Sequence, residues 1–322
     1  MPLINHSSFS GNKFLRGKHV ETIVPALFRT ISVPYQRERL VLSDGDFLDL
    51  DWIKDGHTKV LLLFHGLEGS SDSQYIKGMG LHFAANGWDI CAVNFRTCSG
   101  EMNKALRTYH SGATDDVNEV VQHIVALHTY DIMAAGGFSL GGNVLLKYLG
   151  EQVFIIPSIL KIAFAFSVPC DLAASSSEMA RIENTLYMQR FLKSLRYKMK
   201  YKANQFKGQL NTDGIYTMRT FTQFDNLFTA PINGFKDAAD YYAKCNSLQF
   251  LPFIRIPTLM VNALNDPFLT PSCFPEELAA SHPYLHLETP EYGGHVGFAE
   301  RLPNETYWSE QRALEFISGF CT

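Results

Sequence analysis

Apolar residues along this chain fall into two kinds of segment, and their alternation sets its organisation. Short, dense apolar runs cover Lys59–Phe64 (KVLLLF) and residues 88–94, 132–136, 159–168, 257–263 and 285–289. Runs of that length suit strands buried on both faces. Between them lie stretches of helical spacing. One runs to about Asn86, starting from a loop whose last residues, Ser70-Ser71-Asp72, can cap it. A second covers 112–127, with Val117, Val120, Val121, Ile124 and Val125 along one face. An amphipathic segment follows over 143–150, and a last helix from roughly 306 to 320. Strands alternating with helices predict right-handed crossovers and a mostly parallel twisted sheet with helices on both faces, an α/β fold. Ahead of the first buried run, two strand-like segments, 37–42 and Phe47–Ile53, flank Ser43-Asp44-Gly45-Asp46 and predict an antiparallel hairpin.

The rhythm is absent in two places. Residues 1–30 carry little periodicity, and Gly17 to Pro25 reads as an arm lying on the main body. Residues 31–170 read as the first part of the core and 236–322 as the second. Between them, 171–235 is rich in aromatics, Met, Lys and Arg and shows no strand-helix-strand unit. An insertion there would lie over the C-terminal edge of the sheet, where open α/β folds bind ligands, and it reads as a lid or cap. Its basic run, Arg190, Lys193, Arg196, Lys198, Lys200 and Lys202, is interleaved with Phe191, Leu192, Leu195, Tyr197 and Tyr201. This reads first as the solvated face of a lid helix. The alternative is weak contact with an anionic headgroup or membrane surface.

Composition narrows the function classes. With 322 residues, 46% hydrophobic and 19% charged, the chain has ample material for a core. A net charge of −4 gives no reason to expect a nucleic-acid partner. The six cysteines form no C-x-x-C pair, no histidine pair has metal spacing, and no metal or cofactor is expected. The first residues lack a signal-peptide core. The longest greasy stretch, 153–168, is broken by Pro157 and Lys161 and falls short of the ~20 residues a membrane helix needs. A soluble cytoplasmic protein is expected.

Chemistry enters at Gly137-Phe138-Ser139-Leu140-Gly141, a G-x-S-x-G turn between an apolar strand and a helix. So tight a turn holds the serine hydroxyl clear of the backbone, and the helix after it aims free N–H groups and a positive dipole end at the same spot. A serine hydroxyl needs a base, and the base needs a group that holds its tautomer. On such a sheet these follow in the order serine, acid, histidine, each after a later strand. Asp266 occupies that place in Asn262 to Pro267, and His295 in Tyr292-Gly293-Gly294-His295-Val296-Gly297. Asn265 cannot be the charged member. Two N–H groups would receive the oxyanion, those of Leu140 and of Leu67 in the loop His65-Gly66-Leu67.

With these residues in view, the chain resembles the α/β-hydrolase superfamily, and within it the YheT/EMB8 group related to mammalian abhydrolase-domain proteins 1 and 3. The resemblance rests on Gly17 to Ile23, on His65-Gly66-Leu67-Glu68-Gly69-Ser70, on Asn94 to Glu101, on the serine turn, and on Asp225 through Tyr242 leading to Asp266-Pro267-Phe268. It implies Ser139, Asp266 and His295 as nucleophile, acid and base. Members of the group often carry two aspartates where this chain has Asn265-Asp266, which leaves Asp266 as the acid. The implied activity is hydrolysis of carboxylic esters of short to medium acyl chain, or of monoacylglycerols. A lipid-selective lipase or phospholipase with the same triad is the alternative. A non-catalytic binding module of the same fold is the alternative from another class.

Overall fold

Alternation by two along the central strands divides the apolar side chains between two faces of one sheet. Leu61, Leu63, Ile90, Ala92, Ala134 and Phe164 pack in one core, and Val60, Leu62, Cys91, Val93, Met133 and Ala135 in another. The computed structural model describes residues 3–4, 6–12, 15–300 and 306–321. Its nine strands are β1 (Leu3–Ile4), β2 (Gln36–Val41), β3 (Phe47–Ile53), β4 (Lys59–Phe64), β5 (Asp89–Asn94), β6 (Ile132–Phe138), β7 (Leu160–Phe166), β8 (Thr258–Val261) and β9 (Leu285–Glu288). They lie in the order β1-β9-β8-β7-β6-β4-β5-β3-β2. β4 to β9 run parallel, and β3 pairs antiparallel with both β2 and β5, so the expected hairpin closes one edge.

Helices cover both faces. α1 (Lys18–Phe28) precedes the sheet, and α2 (Gln74–Ala84) packs with the closing helix Trp308–Ser318 on one face. α3 (Thr114–Ala126) and α4 (Leu140–Gly150) pack on the other, with Val117, Val120, Val121 and Ile124 inward as their spacing predicts. Three expectations need correction. α2 begins after Ser73, whose side chain makes no capping bond, rather than after Ser70-Ser71-Asp72. α4 is not amphipathic: all eleven residues are buried, Lys147 included, because α3 and the segment around Phe250 cover its outer side. Part of the N-terminal arm is regular structure. β1 pairs parallel with β9, and 18–28 is a helix despite Pro25. Pro25 has no N–H to give the Glu21 carbonyl, and the backbone at Gly297 packs against that carbonyl, where a Cβ would stand 2.1 Å away.

Between β7 and β8 the chain forms helices only: α5 (Leu172–Met179), α6 (Thr185–Gln205), short turns over Phe221–Ile232, and Ala238–Cys245. The helical run thus continues past Phe235, with Ala238, Tyr241 and Tyr242 packed on Leu172 of α5. It has a core of its own, in which Met188, Leu192, Met199, Ile215 and Phe228 are buried together.

Candidate active site

β6 runs two residues beyond the apolar stretch and ends at Phe138, so Ser139 sits between strand and helix with φ 52° and ψ −119°. A non-glycine residue there is strained, and its neighbours have no room for side chains. A Cβ on Gly137 would lie 2.6 Å from the Gly141 carbonyl oxygen, and one on Gly141 would lie 2.4 Å from that of Phe64. Close packing of β4, β6 and α4 therefore dictates the glycines of the motif. The Ser139 N–H is held by the Phe166 carbonyl at 2.9 Å, which leaves the side chain facing a cavity.

Asp266 and His295, 127 and 156 residues along the chain from Ser139, meet it there. Asp266 Oδ2 accepts from His295 Nδ1–H at 2.8 Å, and His295 Nε2 accepts from the Ser139 hydroxyl at 2.9 Å. A carboxylate can only accept, so the first bond fixes the tautomer required by the second. The Asp266 side chain is fully buried, and its Oδ1 accepts from the Phe268 N–H at 2.9 Å. The Phe268 ring lies 4.2 Å from the imidazole.

The histidine loop is fastened from outside the triad. The His295 N–H donates to Thr22 Oγ1 at 2.9 Å, Gly294 N–H to Asn265 Oδ1 at 2.9 Å, and Val296 N–H to Ser167 Oγ at 2.9 Å. Asn265 in turn donates to Glu21 Oε2 at 2.5 Å. Glu21 and Thr22 belong to α1, so the segment read as an arm supports the loop that carries His295. Nothing in the sequence marks these residues as neighbours of His295 except their place in the motif Gly17 to Ile23.

The loop after β4 closes over the serine: a Cβ on Gly66 would stand 3.1 Å from Ser139 Cβ. His65 shapes this loop. Its Nδ1–H donates to the Gly66 carbonyl at 2.7 Å, and its Nε2 accepts from the Phe95 N–H at 3.2 Å. Burial lowers its pKa to about 4, so the ring stays neutral. Leu67 and Leu140 both line the cavity. Leu140 opens α4, where the first N–H groups have no intrahelical acceptor. Glu68, at φ 54°, accepts from Tyr109 Oη–H at 2.7 Å and from Lys198 Nζ at 2.8 Å, and it also accepts from the Ser194 hydroxyl. The loop is thereby tied to α6.

The cavity, about 140 Å³, is mainly apolar. Leu172, Met179, Phe191, Leu195, Met199, Phe221, Phe224 and Ile232 from the helical segment face Ser139 and His295 across it. Asp225 lies in its wall, on a π-helical turn that also brings in Thr229. Its carboxylate accepts from Thr229 Oγ1–H at 2.5 Å and from Tyr242 Oη–H at 2.6 Å. Burial nonetheless raises its pKa to about 6.

The basic run does not form one solvated face. Lys202 is buried, donates to the carbonyls of Asn103 (2.6 Å) and Ala105, and has its pKa lowered by burial to about 8. Lys198 turns inward to Glu68. Arg190, Lys193 and Lys200 face outward. Among the described residues no group of three or more His, Cys, Asp or Glu side chains could hold a metal, and no helix is long and apolar enough to cross a membrane.

The profile of the alpha/beta hydrolase fold family matches residues 59–302. An Escherichia coli protein, YheT, whose esterase designation is itself provisional, is 34% identical over 311 residues, covering 94% of this chain and 90% of its own. Phospholipase ABHD3 of Mus musculus is 30% identical, covering 88% of this chain and 72% of its own. A monoacylglycerol lipase of Saccharomyces cerevisiae is 29% identical, covering 80% of this chain and 58% of its own. Among solved structures, esterase Pf2001 of Pyrococcus furiosus shares the fold with a TM-score of 0.60 at 16% identity, covering 91% of this chain and 99% of its own.

Proposed function

Because this chain belongs to the α/β-hydrolase fold family, we propose that it is a carboxylic ester hydrolase that works through a serine acyl-enzyme. The observation that carries this reading is the chain of two hydrogen bonds, 2.8 and 2.9 Å, that joins Asp266 to His295 and His295 to Ser139 at the wall of an apolar cavity. The relatives named esterase, phospholipase and monoacylglycerol lipase support the ester or lipid class of substrate.

Ser139 Oγ attacks the ester carbonyl while His295 Nε2 takes its proton, and Asp266 holds the ring and stabilises the imidazolium. The negative charge that develops on the carbonyl oxygen falls between the Leu140 and Leu67 N–H groups, each worth roughly 3 kcal/mol in the transition state. His295 then protonates the leaving alcohol, and water repeats the sequence to release the acid. No step calls for a cofactor. Residues 171–235 act as the lid over the acyl site, and their apolar lining suits short- to medium-chain acyl groups or monoacylglycerols. Rates on a series of esters of increasing chain length separate this from a long-chain lipase.

Ser139→Ala is expected to abolish hydrolysis of p-nitrophenyl butyrate, and full activity in that variant would refute the reading. Leu67→Pro removes a backbone donor and should cut turnover about 100-fold or more. Leu67→Ala keeps the donor and should change turnover little. Equal losses in the two variants would remove Leu67 from the oxyanion site.

A further inference from the structure

One helix, α6, lines the cavity on one side and faces outward on the other. The inward face of α6 places Phe191, Leu195, Lys198 and Met199 in the cavity wall. Its outward face carries Leu186, Arg190, Lys193, Tyr197 and Lys200, at the alternating four- and three-residue steps of a single helical stripe, with Tyr201 one turn beyond Tyr197 beside it. Tyr197 is 69% exposed and Leu186 75%, and Ile182, just ahead of the helix, is 92% exposed. Arg190 and Lys193 have no hydrogen-bond or ion-pair partner among the described residues. Lys200 donates to Tyr216 Oη at 2.7 Å, which lays that ring beside the stripe and forms a groove.

Charge is distributed unevenly as well. Residues 171–235 hold nine Lys and Arg against five Asp and Glu, a net +4, which leaves −8 for the rest of a chain whose total is −4. A cation-bearing stripe with exposed apolar tips and interleaved tyrosines is the chemistry of a peripheral contact with a lipid surface. The apolar tips enter the headgroup boundary, the rings lie at its level, and the cations meet anionic lipid. An acidic polypeptide would be served by the charges but not by the bare Ile182 and Leu186.

We propose that the outward face of α6 is a docking surface for an anionic lipid bilayer, holding the helical segment that roofs the cavity against the layer in which ester lipids reside. The contact is weak and salt-sensitive: each basic residue near an anionic surface contributes roughly a fivefold gain in partition, and the gain is screened within about 8 Å at physiological ionic strength.

Co-sedimentation of the full chain with vesicles of phosphatidylcholine alone, and of phosphatidylcholine mixed with phosphatidylglycerol, tests it. Binding is expected to the mixed vesicles only and to fall as salt is raised. Arg190→Gln with Lys193→Gln should weaken it about thirtyfold, the product of two such gains, and Leu186→Ser should weaken it further. Both variants should keep wild-type turnover of soluble p-nitrophenyl butyrate, which shows that they fold and separates this test from that of the triad. Equal binding to neutral and anionic vesicles, no binding to either, or unchanged binding by the double variant would overturn the proposal.

Discussion

At Ser139 a single residue holds a backbone conformation, φ 52° and ψ −119°, that local preference opposes, and the cost is borne by close packing around Gly137 and Gly141. The sequence makes this residue legible because the packing leaves a mark, glycines at fixed spacing. Asp266 and His295 are legible for a related reason, since each follows a strand that its apolar density announces. Asp225 is marked only as the start of the run Asp225 to Tyr242, and its burial is not legible, because its partners Thr229 and Tyr242 are brought to it by a π-helical turn with no sequence signal. Its pKa supplies a prediction. Burial raises the folded value to about 6, above the ordinary carboxylate near 3.9 of the unfolded chain. The folded state thus binds this proton more tightly, and the stability the group contributes is present below about pH 4 and lost as pH rises through about 6. Asp225→Asn carries no charge, so it should raise the urea midpoint relative to wild type at pH 8 and much less at pH 5. An equal change at both values would show that titration of Asp225 is not the cause.

Among the elements, α1 and the loop after β4 act on the site without entering the chemistry. Gly17 and Pro25 disguise α1 in the sequence, since each ordinarily ends a helix; here the lost bond falls at Glu21, whose carbonyl abuts the Gly297 backbone. Thr22 on this helix accepts the His295 N–H at 2.9 Å. Thr22→Val keeps the shape and removes the acceptor. It should lower kcat about fivefold to tenfold, the worth of one hydrogen bond, with little change in KM. Thr22→Ser should restore it. A variant that lost stability but kept kcat would limit α1 to a structural part. The loop after β4 is tied to α6 by Glu68 and Lys198, whose side chains are only 6% and 12% exposed. Glu68→Gln leaves the ammonium buried and uncompensated and should destabilise the protein by roughly 3 kcal/mol, and adding Lys198→Met should recover much of that loss. Urea unfolding of both variants checks this, and additive losses would contradict it.

For the whole molecule, the sheet was readable because strands buried on both faces leave unbroken apolar runs; the strand order, which reverses at β4, was not, because right-handed connections fix the face each crossover helix covers and not which strand lies next. The helical segment between β7 and β8 was readable only as a gap in that rhythm. Its core joins Met188, Leu192, Ile215 and Phe228 across irregular turns, so no single period marks it, and the division of α6 between an inward and an outward face becomes visible only in three dimensions. The proposed hydrolysis depends on one convergence, that of positions 139, 266 and 295. The most direct measurement is labelling of the intact protein with a fluorophosphonate followed by peptide mapping. One adduct, on Ser139, is predicted, with the labelling rate reduced by orders of magnitude in His295→Ala and in Asp266→Asn. An adduct on any other residue, or labelling of both variants at the wild-type rate, would contradict it.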